Sequence, residues 1–238
     1  MIEPEIGGRS LPETVLSALV GFSAPNVFNP WASSDSMDAQ AGSPGYLARR
    51  ERLLCHLNTQ PLLLLVGEAP GFRGCHFSGI PFTNERLILA GRIPRVSGAS
   101  RITTRKTPFS EPSATVVWGE LNDLGIADRI VMWNAFAWHP HKPNSPYSNR
   151  APSRTELRDG LPVLQGVLSH FAGVPIVPVG RVSENTLKEL GVATLESVRH
   201  PAMGGATLFR SGLRRLLEEL GFKPTQRRTT IAHQSTGL

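Results

Sequence analysis

Leu62–Val66 is an unbroken apolar run that ends in Gly67-Glu68-Ala69-Pro70-Gly71. A short apolar run closed by turn residues predicts a strand buried on both faces of a parallel sheet. In open α/β sheets, ligands bind outside the carboxyl ends of such strands. Glu68 therefore stands where chemistry is usually done, although a carboxylate after a strand also serves as a cap for the next turn.

The 238 residues hold one substantial α/β domain, and 40% hydrophobic content is enough for a real core. No apolar run approaches the ~20 residues that span a bilayer, and Met1-Ile2-Glu3-Pro4-Glu5 lacks the pattern of a signal peptide. The expectation is a cytosolic protein, monomeric and without a membrane partner. Two cysteines, Cys55 and Cys75, are too few for a four-thiolate zinc or iron–sulfur site, and the expectation is two reduced thiols. His139-Pro140-His141 has no third ligand at recognisable spacing, so no metal and no cofactor is expected.

Charge is unevenly distributed. Residues 1–44 carry a net −4, which leaves +10 for the other 194 residues of a chain whose total is +6. A basic body favours a polyanionic partner, nucleic acid first.

Residues 1–44 read as a loosely packed extension with at most one helix, 45–222 as the domain, and 223–238 as a basic, flexible tail. Helices are expected over 45–58, Glu111–Gly125 (capped by Ser110), Ser153–Phe171 with a capping box at Ser153 and Glu156, Ser183–Leu190 and Thr207–Leu220. Pro162 should bend or split the third of these. Strands are expected at 62–67, Arg129–Ala135, Val174–Val179 and Thr194–Arg199. Alternating strands and helices predict a three-layer α/β/α fold with a central, mainly parallel four-stranded sheet. The irregular stretch 72–111, with Arg92, Arg95, Arg101, Arg105 and Lys106, is long enough to be functional.

Three strands end in a chemically distinctive residue: Glu68, Asn134 and His200. Phe82, after Gly79-Ile80-Pro81, is either a core aromatic or a platform for a planar base. Asn134 either closes a turn or reads a base edge with one acceptor and two donors. His200 is either structural or a donor to a departing anion.

Gly67-Glu68-Ala69-Pro70-Gly71, Gly79-Ile80-Pro81-Phe82, Asn134, Asn149-Arg150-Ala151-Pro152 and His200-Pro201-Ala202 together resemble the uracil-DNA glycosylase superfamily, nearest its thermostable-type, iron–sulfur branch. The resemblance spans residues 45 to 222. It implies that Glu68 positions or activates water and supports a cationic sugar, and that His200 stabilises the leaving uracil. It further implies that Ala69 and Gly71 make backbone contacts, Phe82 stacks on uracil, Asn134 reads it, and the loop carrying Met203 wedges into the duplex. Lys142 and Arg150 are candidates for phosphate contact. The implied activity is hydrolysis of the N-glycosidic bond of uracil, or a related deaminated base, in DNA.

The chain departs from that branch where its cluster cysteines would stand: Trp138, His139 and Leu157–Leu161 contain none, so the cluster should be absent. Gly79-Ile80-Pro81-Phe82 is also similar to the single-strand-selective branch, which has Asn where Ala69 stands. Two other readings stay open: a non-catalytic nucleic-acid-binding protein on this fold, and an N-glycosidase of free nucleosides or nucleotides.

Overall fold

The computed structural model describes residues 10–39, 44–96 and 98–222. The expectation of a flexible tail over 223–238 lies outside the described residues. Along the chain come α1 (Glu13–Gly21), β1 (Val27–Phe28), α2 (Gly45–Leu57), β2 (Leu63–Gly67), α3 (Cys75–Ser78), α4 (Glu85–Leu89), α5 (Pro112–Asp123), β3 (Ile130–Asn134), β4 (His139–Pro140), α6 (Arg154–His170), β5 (Ile176–Pro178), α7 (Arg181–Glu189) and α8 (Ala206–Glu219).

The central sheet has the order β3-β2-β5, all parallel, as expected of a leucine-rich strand hidden on both sides. The expected fourth strand is reduced to one parallel bridge, Val179 with Val198, because only the segment around Leu195–Val198 runs close enough to bond β5. Alternation along β2 sends Leu63 and Leu65 into one core, with Trp118 of α5 and Phe209 of α8. Leu64 and Val66 enter the other, with Leu19 of α1, Leu53 of α2, Val163 of α6 and Leu187 of α7. Three layers result, with all the active-site candidates at the carboxyl edge. No helix among the described residues is long and apolar enough to cross a membrane.

β3 lies at the edge of the sheet and would expose unpaired backbone groups. His56 closes one of them by accepting the Met132 N–H at 2.9 Å, and Arg95 closes another by donating to the Ile130 carbonyl at 3.0 Å. Arg95 also donates to the His56 and Asp128 carbonyls, so it serves the fold and leaves the basic cluster proposed from sequence. Arg101 pairs with buried Glu85 at 3.5 Å, and Glu85 in turn accepts the Ile102 and Thr103 N–H groups. Much of the irregular stretch is thus tied down by buried polar contacts.

Helix boundaries move by a residue or two from those expected. Glu111, not Ser110, occupies the cap position of α5, with Pro112 in the first turn. α6 has its capping box and runs through Pro162 without splitting, held by burial of Gly160, Val163, Leu164 and Val167. The larger correction concerns residues 10–39, which are built into the body. α1 packs on α6, and Leu19 and Trp31 are fully buried. The segment's acids explain this: Asp38 forms a bidentate pair with Arg49, buried on α2, at 2.7 and 2.9 Å, and Asp35 lies 3.0 Å from Nε2 of buried His76.

Removing one partner of a buried pair strands the other charge, at a cost of about 3–5 kcal/mol. Asp38→Ala should therefore lower unfolding free energy by about that amount in urea titrations. Burial, reinforced by nearby Arg95, pushes the His56 pKa down from 6.5 to about 3, so this ring is neutral in the fold. Unfolded chains then bind more protons than folded ones between about pH 3 and 6.5; stability is full above that window and falls as pH drops through it. His56→Gln, which keeps an acceptor for Met132, should flatten the dependence there by about 1.4 kcal/mol per pH unit, read from urea midpoints.

Candidate active site

Parallel register sets Gly67 opposite Asn134, so the turn carrying Glu68 begins beside the end of β3. Two further bonds extend the pairing: Ala135 N–H donates to the Gly67 carbonyl at 2.8 Å and Phe136 N–H to the Glu68 carbonyl at 2.9 Å. The backbone of Glu68 is therefore fixed. Its side chain is half-buried, and burial raises its pKa above the ordinary carboxylate value.

Gly67 is required by close approach. A Cβ there would collide with the Phe82 ring and lie 2.9 Å from Asn134 Oδ1. Phe82 reaches this place from a residue with φ +51°, a costly conformation for an aromatic residue. Its loop is pinned around it: Ser78 Oγ donates to the Thr83 carbonyl at 2.7 Å, and Trp118 Nε1–H donates to Thr83 Oγ1 at 2.9 Å. Trp31 Nε1–H donates to the Gly79 carbonyl at 3.0 Å, and Gly79 packs directly on the Arg49 backbone.

Asn134 is 3% exposed, and its Nδ2 has no hydrogen-bond partner among the described residues. A buried, unsatisfied amide donor is costly and uncommon. Indole Nε1 of Trp133 next to it is likewise unpaired, and neither orphan was visible in the sequence. His200 lies beside Phe82, its ring centroid 5.7 Å from that of Phe82 and its Cβ near Gly180. His200 Nδ1 accepts the Ala202 N–H at 3.1 Å, which puts the ring proton of the neutral form on Nε2. Burial, and then Arg199, lower its pKa. His200 is therefore a neutral donor at neutral pH.

Four of the sequence-derived residues, then, converge: the Phe82 ring and Asn134 Oδ1 both crowd Gly67, His200 lies near Phe82, and Glu68 follows by register. Ala69 and Gly71 continue the Glu68 turn, both partly exposed. Met203 stands on the loop after Pro201 at φ +50° and is 96% exposed. Lys142 is exposed beside a tight turn bridged to Ser145. Arg150 is a correction. All five of its N–H donors are committed inside the fold, to the His141, Ala151 and Asn26 carbonyls and to both oxygens of Glu156, so none remains for phosphate.

Sequence reasoning gave no role to Glu111 or His76 near this turn, and took Asn149 only as part of a motif and His139 only as a rejected metal ligand. Glu111 packs its carboxyl against Gly71 and Gly74, and burial raises its pKa to about 7. Asn149 Oδ1 accepts the Phe72 N–H at 2.9 Å. Behind them His76 Nδ1 lies 2.8 Å from His139 Nδ1, and His139 Nε2 lies 3.0 Å from the Ser148 carbonyl. Burial drives His139 down to about 3, and His76 adds to the effect. A carboxylate before a helix and two histidines 63 residues apart carry no local signal. Cys75 is buried, and its thiol is held well above its ordinary range by burial and then by Glu111, which removes it as a nucleophile. No group of three or more His, Cys, Asp or Glu suited to a metal occurs among the described residues.

The family model of the uracil DNA glycosylase superfamily matches residues 55–220. The chain belongs to that superfamily. Its members are DNA glycosylases, hydrolases of base excision repair, and a uracil-DNA glycosylase type of function follows in general terms. Among solved structures, wild-type SMUG2 of Pedobacter heparinus matches with a TM-score of 0.58 at 15% identity, over 88% of this chain and 97% of that one. That is a likeness of fold. No curated protein sequence matches the chain.

A methyl group at position 67 of this glycosylase-family site must displace either the Phe82 ring or the Asn134 amide. Gly67→Ala should leave the protein folded but less stable by about 1–3 kcal/mol, measured by urea unfolding.

Proposed function

We propose that the protein excises uracil, or a related deaminated base, from DNA by hydrolysis of the N-glycosidic bond, without a cofactor, leaving an abasic site. One observation carries the reading: a buried Asn amide with an unpaired Nδ2, at the strand end where Gly67 also admits the Phe82 ring. An amide of this kind suits the Watson–Crick edge of a base, with Nδ2–H donating and Oδ1 accepting. Phe82 offers a face for the same base. Because Asn134 is 3% exposed, admission of a base requires its cover to move.

In this mechanism the target nucleotide leaves the stack, at a cost of a few kcal/mol that is least for a mispaired or single-stranded base. Ala69 and Gly71 contact it through backbone, and Met203 enters the vacated space. As the bond from C1′ to the base nitrogen breaks, its electron pair goes to the base, and His200 Nε2–H donates to the developing anion. Glu68 stabilises the cationic sugar and orients a water whose oxygen adds to C1′. The water's protons end on the abasic sugar hydroxyl and, through Glu68 or solvent, on the free base. Exposed Lys142 contributes a phosphate contact. The resemblance to the thermostable-type branch without its cluster belongs to the same proposal.

The reading is tested with an end-labelled oligonucleotide holding one uracil, in single strands and opposite G or A, with hypoxanthine and xanthine in parallel. The wild type should generate alkali-labile abasic sites. Glu68→Gln and Asn134→Ala should each slow excision by at least ~100-fold while thermal unfolding stays cooperative. Near-wild-type excision by both variants would remove the site assignment. DNA binding with no abasic product on any substrate would remove the enzymatic reading.

A further inference from the structure

A cleft of roughly 460 Å³ opens at the segment that follows the Glu68 turn. Phe72, Arg73, Arg105, Phe109 and Tyr147 line it. Phe72 lies only four residues beyond Glu68, a reach of at most about 14 Å, and its backbone is held to Asn149.

The cations here differ from Arg95 and Arg101, which are committed to buried carbonyl or carboxylate groups. Arg73 sits over the Phe72 ring at 5.2 Å and Arg105 over the Phe109 ring at 4.2 Å. Neither forms an ion pair with a carboxylate among the described residues. The acid next to the cleft in sequence, Glu111, turns its carboxyl to Gly71 and Gly74. Phe109 is sandwiched between Arg105 and Phe77, whose parallel ring is 4.2 Å away, so it works as a mount for the guanidinium. Phe72 is partly exposed and edges onto Phe109 and Tyr147 at 6.2 and 6.4 Å. Tyr147 is anchored through its hydroxyl, which donates to Asp35 Oδ1 at 3.0 Å.

We propose that this cleft binds single-stranded DNA flanking the excised nucleotide, with phosphates on Arg73 and Arg105 and an unpaired base stacked on Phe72. Unpaired guanidiniums fixed on aromatic faces, one of them on the partly exposed Phe72 ring, match what a single strand presents: alternating charge and π-surface. A paired duplex has its bases buried in the stack and offers the Phe72 ring nothing to bind. The inference rests on the reading that the protein acts on DNA.

Two measurements on the full chain test it. The first is fluorescence anisotropy of labelled oligo(dT) of about 15 nucleotides, a length that fills such a site, over a range of salt concentrations. Each phosphate contact to a single strand adds about 0.7 to the slope of log K against log salt, so the Arg73→Ala/Arg105→Ala double variant should lose about 1.4 in slope. Phe72→Ala should bind roughly tenfold more weakly with its slope unchanged. The second compares uracil excision from a strand of about 15 nucleotides with that from a trinucleotide too short to reach the cleft. The double variant should lose at least ~10-fold in kcat/KM on the long strand and keep the wild-type rate on the short one.

An unchanged salt slope, or equal losses on both substrates, would overturn the proposal. Binding of oligo(dT) through these residues, with no excision by the wild type, would uphold the cleft and reject the glycosylase reading. Wild-type excision that the cleft variants leave intact on both substrates would do the reverse.

Discussion

The missing side chain of Gly67 is the constraint on which the site depends. Parallel pairing puts it opposite Asn134, and alternation puts both on the face toward Phe82. Because Gly67 has no Cβ, the Phe82 ring can rest against the strand and Asn134 Oδ1 can approach it. Phe82 accepts a left-handed backbone to do so, and Ser78, Thr83, Trp118 and Trp31 hold its loop in that state. A buried sheet end, a strained aromatic and an unpaired amide are thus consequences of one small residue.

The second organising principle is how the positive charge is divided. Arg49, Arg95, Arg101 and Arg150 lie inside hydrogen-bond networks that close a sheet edge, anchor a segment or tie a helix start to a loop. Arg73 and Arg105 are held by aromatic faces and leave their charge unanswered among the described residues. Counting basic residues therefore overstates the surface available to a polyanion, and the carboxylate and carbonyl partners of each guanidinium distinguish one group from the other.

Much of this was legible in the chain. Hydrophobic runs and turn residues located the three strands of the central sheet to within one or two positions, since a strand buried on both faces has few alternatives, while the short β1 and β4 were not expected. Glu68 and Asn134 were legible because each closes such a run, and His200 because it follows the segment that bridges β5 at Val198. The fourth strand was overestimated: Thr194–Arg199 has the composition of a strand, but a single bridge at Val198 is all the pairing that forms. Arg150 was misjudged because Glu156, which accepts two of its donors, had already been assigned to the capping box; one carboxylate does both jobs. Glu111, Asn149 and the His76–His139 contact depend on tertiary neighbours far away in sequence, which no local pattern encodes.

Residues 10–39 looked like an appendage because they are acidic and rich in Ser, Pro and Gly, the composition of a linker. Their acids are instead counterions to cations of the body, through Asp38 with Arg49, while Asp35 bonds both His76 and Tyr147. The span that carries the family likeness, 55–220, starts after all of these partners but His76 and Tyr147. The portion recognisable by descent is therefore smaller than the portion packed into one body. A boundary drawn by kinship would part Asp35 from His76 and Tyr147 and discard the Asp38–Arg49 pair whole, so ancestry and packing do not coincide in this chain.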